Sequence, residues 1–256
     1  MENRPGALAT IGAEAVKNAK PDGYTLFITA GTGFSSAPYL FKTLRYDPVK
    51  DFAPVTTLGR MAFVVAVPAS SPIKSVAELT AHLKTKDGKG FHGSTNPFAI
   101  ASSELYATIA GIKFEQVPYK SNPQALMDML AGQLDFLVLD GPFGLQQKDK
   151  LRFLAVTPGV RSQVIPEVPT MIEAGVPGYD LTSWWGAWFP TNTPRPIVDK
   201  TAGWLNEIMA ADATIAFLAK AATDPWPGSP QSLAALVPQE IEKWTNVLRL
   251  ANVERQ

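Results

Sequence analysis

The sequence predicts an α/β fold, and three observations carry that expectation. Helix-period stretches alternate with short strand-forming runs along the whole chain. Some of those runs, Leu134–Leu139 above all, are apolar throughout but for Asp135, as strands buried on both faces are. The loops that follow strands are rich in Gly, Ser, Thr and Asn, and they run into new helix starts. Strands joined through helices favour mostly parallel sheets, and 256 residues with 46% hydrophobic content suffice for a large core.

Taken in order, a helix around Ala9–Ala19 ends at the turn Pro21-Asp22-Gly23, and Tyr24–Thr29 follows as a buried strand. "SSAPYLFKTLRYDPVKDF" reads as an irregular, partly helical connection. "APVTTLGRMAFVVAVPA" supplies strands, with Gly59-Arg60 as a turn between them. Ser75 and Glu78 form a capping box for a helix that stops at Gly88–Gly90. A strand near Phe91, a helix from Ile100 to Ala110 and a strand Phe114–Val117 come next. Asn122-Pro123 opens a helix with the stripe Ala125, Leu126, Met129 and Leu130. Gly132 ends it, ahead of strand Leu134–Leu139. A strand Leu151–Thr157, a long loop and the aromatic run "WWGAWFP" lead to helices that open at Thr193-Pro194, Asp212 and Ser229-Pro230.

Composition excludes several functions. Lys+Arg and Asp+Glu both number 23 and are scattered, so no field draws the chain to nucleic acid or an anionic membrane. No run approaches the roughly 20 apolar residues of a transmembrane helix, and no signal peptide opens the chain. There is no cysteine, and the two histidines, His82 and His92, lack metal-ligand spacing and read as surface or locally satisfied groups. Neither the nucleophile elbow nor the phosphate loop occurs, so no cofactor and no metal are expected. Asp135 and Asp140 stand an odd number of residues apart on one strand, facing opposite ways, and are not an acid–base pair.

The informative segments are the two small-residue loops, "TAGTGFSS" (29–36) and "HGSTNPF" (92–98). In open α/β sheets ligands bind beyond the carboxyl ends of strands, where backbone N–H groups and hydroxyls hold an anion without Lys or Arg. Thr32, Gly33, Phe34 and Ser35 on one loop and Gly93, Ser94, Thr95 and Asn96 on the other are therefore the candidate ligand-binding residues. Asp140, at a strand's carboxyl end, and Trp184 are the expected walls. Ordinary turns remain the alternative for both loops.

Six segments also carry a resemblance: "ENRPGA" with "IGAEAV", "PDGYTL", "YDPVKDFAPV", "VPYKSNPQALMDMLAGQLDF", "LAVT" with "PEVPTMIEAGVPGY", and "WWGAWFPTNTP". In this order they resemble the periplasmic solute-binding receptors of tripartite tricarboxylate transporters, the Bug family. The resemblance implies a two-lobed type II periplasmic-binding-protein fold with two crossover strands, near Val64–Pro68 and Trp185–Pro190. Lobe one would be 1–66 plus 188–256, and lobe two 67–187. It implies a non-enzymatic receptor for a small mono- or dicarboxylate, aromatic ones included, which would pass the ligand to membrane transporter subunits.

Two departures qualify that expectation. Family members carry a signal peptide, a first strand, a Gly-rich loop and a first helix before "ENRPGA". The abrupt start at Met1 thus predicts a missing beginning, an open strand edge in lobe one, and either a homodimer through that lobe or a less stable chain. The loop at 92–98 is also less glycine-rich than the family's usual form. Two alternatives stay open: a hydrolase or isomerase using Asp140 or His92 as base, and a truncated product with impaired binding.

Overall fold

The structure, a computed structural model, describes residues 2–4, 9–251 and 253–255, so the Asn3-Arg4-Pro5-Gly6 turn lies partly outside the described residues. The elements run α1 (Thr10–Lys17), β1 (Phe27–Ala30), α2 (Gly31–Leu40), β2 (Phe52–Met61), β3 (Phe63–Pro68), α3 (Val76–Thr85), β4 (Phe91–Ser94), α4 (Pro97–Ala110), β5 (Glu115–Pro118), α5 (Asn122–Leu130), β6 (Phe136–Asp140), α6 (Gly141–Gln146), β7 (Leu151–Val156), β8 (Ser183–Pro190), α7 (Arg195–Ala210), α8 (Asp212–Ala219), β9 (Thr223–Pro225) and α9 (Pro230–Leu250). They form an α/β protein with two sheets. The chain divides into unit 1 (Met1–Arg60, Ser183–Leu218, Asp224–Gln256) and unit 2 (Met61–Thr182, Ala219–Thr223).

Unit 1 is built on a sheet of order β1-β8-β2-β9. Strand β1 pairs antiparallel with β8, Phe27 opposite Trp188 and Ala30 opposite Trp185. Side chains alternate along β8, so Trp184 and Trp188 point one way and Ala187 and Phe189 the other. Both faces are covered. Trp184 and Trp188 join Phe27, Phe34, Tyr46 and Phe52 under α1 and α9, while Ala187 and Phe189 meet Val55 and the Val198 and Ala202 face of α7. Phe34 is the hub of the aromatic cluster, its ring 4.9 Å from Trp188, 5.1 Å from Phe52 and 5.6 Å from Tyr46. Aromatic pairs at such separations contribute beyond the area they bury.

Unit 2 holds a sheet of order β5-β4-β6-β3-β7. Strands β5, β4 and β6 are parallel to one another, as expected of strands joined through helices. The expectation of mostly parallel pairing fails at β3, which is antiparallel to both β6 and β7, and at β1 with β8. Strand β3 enters this sheet directly from β2 of the other sheet, across the single residue Ala62, and not through a helix of its own sheet. Gly59-Arg60 is not a turn but the end of β2.

The helix-strand reading of residues 122–140 holds with one correction. Ala125, Leu126 and Met129 of α5 pack on Val64 and Ala66 of β3 and Leu137 and Leu139 of β6, but Leu130 faces solvent. Gly132, at φ +79°, terminates the helix in the left-handed conformation that glycine adopts without strain. At α3, Ser75 Oγ accepts from the Glu78 N–H at 3.1 Å as a cap should. Glu78 reaches the Lys74 N–H at 2.6 Å rather than that of Ser75, so the box is not closed on itself.

Candidate functional site

In unit 2 the parallel trio β5-β4-β6 delivers three helix starts to one edge of the sheet: α5 opens at Asn122 soon after β5, α4 at Pro97 with two residues between it and β4, and α6 at Gly141 directly after β6. Helix N-termini at the carboxyl ends of parallel strands carry unsatisfied N–H groups and a partial positive charge. Asn96 caps α4 by accepting from the Ala99 N–H at 2.9 Å. Asp140 caps α6 by accepting from the Phe143 N–H at 3.0 Å.

A residue that the sequence reading treated only as a helix opener, Asn122, joins these caps. Thr95 Oγ1 donates to Asn122 Oδ1 at 2.6 Å, and Asn122 Nδ2 donates to Asp140 Oδ2 at 2.5 Å. Asn96 Nδ2 approaches Thr95 Oγ1 at 3.3 Å. Thr95, Asn96 and Asp140 are thus brought together in unit 2, each part-exposed. Ser94 lies beside them, buried at the end of β4. Gly93 is scaffold: a Cβ there would stand 2.6 Å from Leu137 and 2.7 Å from Leu134. The signal that finds Asn122 is a repeated dipeptide, since Asn-Pro opens both α4 and α5.

In unit 1, β1 passes straight into α2 at Ala30, whose side chain caps nothing, so Gly31, Thr32 and Gly33 present a bare first turn. Thr32 and Gly33 are part-exposed. Ser35 is buried with its hydroxyl unpartnered. Phe34 and Trp184, expected at the ligand, are core residues instead, both fully buried. Trp184 Nε1 donates to the buried Glu240 carboxylate at 3.0 Å, and a Cβ on Gly31 would fall 2.3 Å from the Trp184 ring. Trp184 therefore seats the first turn of α2 against the sheet.

The remaining titratable groups argue against acid–base catalysis. His92 is not the satisfied histidine that was expected: it is fully buried on β4 with neither ring nitrogen bonded, its ring 4.7 Å from Phe136. Burial depresses its pKa to about 3, so it stays neutral and carries no proton to or from solvent near neutrality. His82 is locally satisfied, its Nε2 2.7 Å from Asp135 Oδ1. Burial alone would raise the Asp135 carboxyl. The Lys86 ammonium at 2.6 Å, the Phe91 N–H at 2.8 Å and His82 outweigh it and hold that carboxyl below its ordinary range. Among the described residues no group of His, Asp or Glu side chains could hold a metal, and no helix is long and apolar enough to cross a membrane.

Comparison with known proteins gives the context. The chain is 33% identical over 248 residues to the UPF0065 protein in the gbd 5' region of Cupriavidus necator, covering 95% of this chain and 74% of that protein. Among solved structures it is similar to R. palustris Rpa4515 with adipate, at 31% identity and TM-score 0.79, covering 100% of this chain and 87% of that one. It is also similar to MatC of Rhodopseudomonas palustris with bound malate, at 28% identity and TM-score 0.72, covering 96% and 86%. The family described as tripartite tricarboxylate transporter family receptor matches residues 1–253. Its proteins are periplasmic solute-binding receptors and not enzymes. With that match spanning nearly the whole sequence, and with two sheets whose strands end in uncapped or polar-capped helix starts, the chain belongs to the tripartite tricarboxylate transporter receptor family.

Proposed function

We propose that this chain is an extracytoplasmic receptor that binds a small mono- or dicarboxylate and delivers it to the membrane subunits of a tripartite tricarboxylate transporter. The observation that carries the reading is the likeness, over all of the chain, to a receptor whose structure holds adipate. The site chemistry agrees with it. In unit 2 the Ser94 hydroxyl and the Asn96 amide are neutral donors, unit 1 by itself offers the N–H groups opening α2, and neither small-residue loop contains Lys or Arg. Carboxylates held by such donors need no buried cation.

A thermal-shift series over succinate, malate, adipate and benzoate tests the reading, because a ligand at 100 times its Kd adds about 2.7 kcal/mol to unfolding. At least one carboxylate is expected to raise the melting temperature. Ser94→Ala should then weaken calorimetric binding roughly ten- to a hundredfold, the worth of one hydrogen bond to a charged group. Failure of every carboxylate to stabilise the protein overturns the assignment.

The same proposal covers assembly. Strand β1 is the last strand of its sheet among the described residues, and Ile28 on it is 53% exposed. An apolar strand edge is a template for another chain, and a second copy pairing there would supply its missing hydrogen bonds. Sedimentation should report a dimer that Ile28→Lys weakens. A strict monomer at all concentrations sinks this part of the proposal.

A further inference from the structure

The polar cluster of unit 2 has a fixed hydrogen-bond direction. A carboxylate only accepts, so Asn122 must turn its amide nitrogen toward Asp140 Oδ2, as it does at 2.5 Å. That leaves Asn122 Oδ1 facing Thr95, and an amide oxygen also only accepts. The Thr95 hydroxyl proton is therefore committed to Asn122 at 2.6 Å. Asn96 adds its Nδ2 at 3.3 Å from the same hydroxyl oxygen while its own Oδ1 is held by the Ala99 N–H.

The direction decides what Thr95 and Asp140 can offer. Read from composition, Thr95 is one more donor for an anion. With its proton spent on Asn122, Thr95 Oγ1 has only a lone pair to present. Asp140 likewise keeps acceptor capacity beyond the Phe143 N–H and Asn122. None of the hydrogen-bond partners in the cluster is a cation. A ligand carboxylate set against Thr95 and Asp140 would meet lone pairs and a like charge, and it would be rejected.

We infer that Thr95, oriented by Asn122 and Asp140, is a specificity-determining acceptor that selects carboxylates bearing a hydrogen-bond donor, a hydroxyl or an ammonium, beside the carboxyl group. The inference rests on the carboxylate-receptor reading and refines it. Within unit 2 the ligand's carboxylate goes to the Ser94 hydroxyl and the Asn96 amide, and its donor substituent goes to the Thr95 and Asp140 acceptors. A site built to bond such a substituent discriminates against the analogue without it, which sets a C–H group against the part-exposed Thr95 and Asp140 lone pairs.

Calorimetry on the full chain with matched ligands tests this. Malate and aspartate are compared with succinate, which has the same carbon skeleton and no donor. Either substituted ligand should bind at least tenfold tighter than succinate, and which of the two leads tells hydroxyl from ammonium. In Thr95→Val, which keeps the side-chain shape without the oxygen, that ratio should fall toward one, and Thr95→Ser should restore it. Melting temperatures within a few degrees of the parent confirm that each variant is folded. Equal affinity for all three ligands in the parent, or a ratio unmoved by Thr95→Val, overturns the inference while leaving the receptor reading intact. Absence of binding by any of these or the wider carboxylate series overturns both.

Discussion

Trp184→Ala should lower the unfolding free energy by about 3–5 kcal/mol, the usual cost of emptying an aromatic core site. For a chain of this length that is a fall in melting temperature of roughly 6–20 °C. Three losses combine: the ring's contacts with Trp188 and Trp226, the seat beneath Gly31, and the bond to Glu240, whose buried carboxylate would be left to Lys243 alone at 2.7 Å. Trp184→Phe keeps most of the volume and loses the N–H, and should cost about 1–3 kcal/mol. Gly31→Ala attacks the same contact from the other side and should destabilise comparably. Had Trp184 been a ligand wall, as the sequence reading expected, Trp184→Ala would weaken binding and leave the melting temperature unchanged. Thermal unfolding without ligand separates the two.

The second large effect is acid lability. His92 has an unfolded pKa near 6.5 and a folded one of about 3, because burial disfavours its charged form. Below pH 6.5 the unfolded chain therefore binds a proton that the folded chain refuses. Stability falls as pH drops from about 6.5 toward 3, by up to about 1.4 kcal/mol per pH unit, or about 2 kcal/mol by pH 5. The Asp135 carboxyl acts in the same direction in a lower window, since its folded pKa is held below the ordinary 3.8 and its contribution goes only as pH falls through that lower value. His92→Phe, between Phe114 and Phe136, should flatten the curve between pH 6.5 and 4 and leave the lower limb in place. Denaturant melts with the same pH slope in parent and variant would refute the assignment to His92.

Much of this was legible in the residues. The turn at Gly132, the Ser75 cap and the apolar run of β6 each follow from local rules and stand close to where those rules put them, whereas the helix read from Ile100 in fact opens at Pro97 with Asn96 as its cap. What local rules could not supply was partnership. Gly31 and Gly33 looked like loop because glycine is a poor helix former. Gly31 is required at the start of α2 because Trp184 approaches where a Cβ would be, a contact made between residues more than 150 positions apart in sequence. The run "WWGAWFP" could not be sorted into core and site without the pairing of β8 with β1, which fixes the faces. In the site, the residue types were readable but not the direction of their hydrogen bonds. That direction depends on Asn122, which enters from the start of α5, the helix that follows the neighbouring strand β5.

The division of the chain sets an order of assembly. Unit 2 draws on one nearly continuous segment, Met61–Thr182, with five residues added later, whereas unit 1 is gathered from three segments that include both ends. During synthesis from the N-terminus, the strands and helices of unit 2 are almost all available before β8 has been made. Strand β1 must wait for Trp185–Trp188, and the Phe34 cluster must wait for α9. Contacts of such long sequence separation form slowly, and apolar segments awaiting their partners are where chains aggregate. The sixty residues ahead of unit 2 are made before it and must wait for partners made after it.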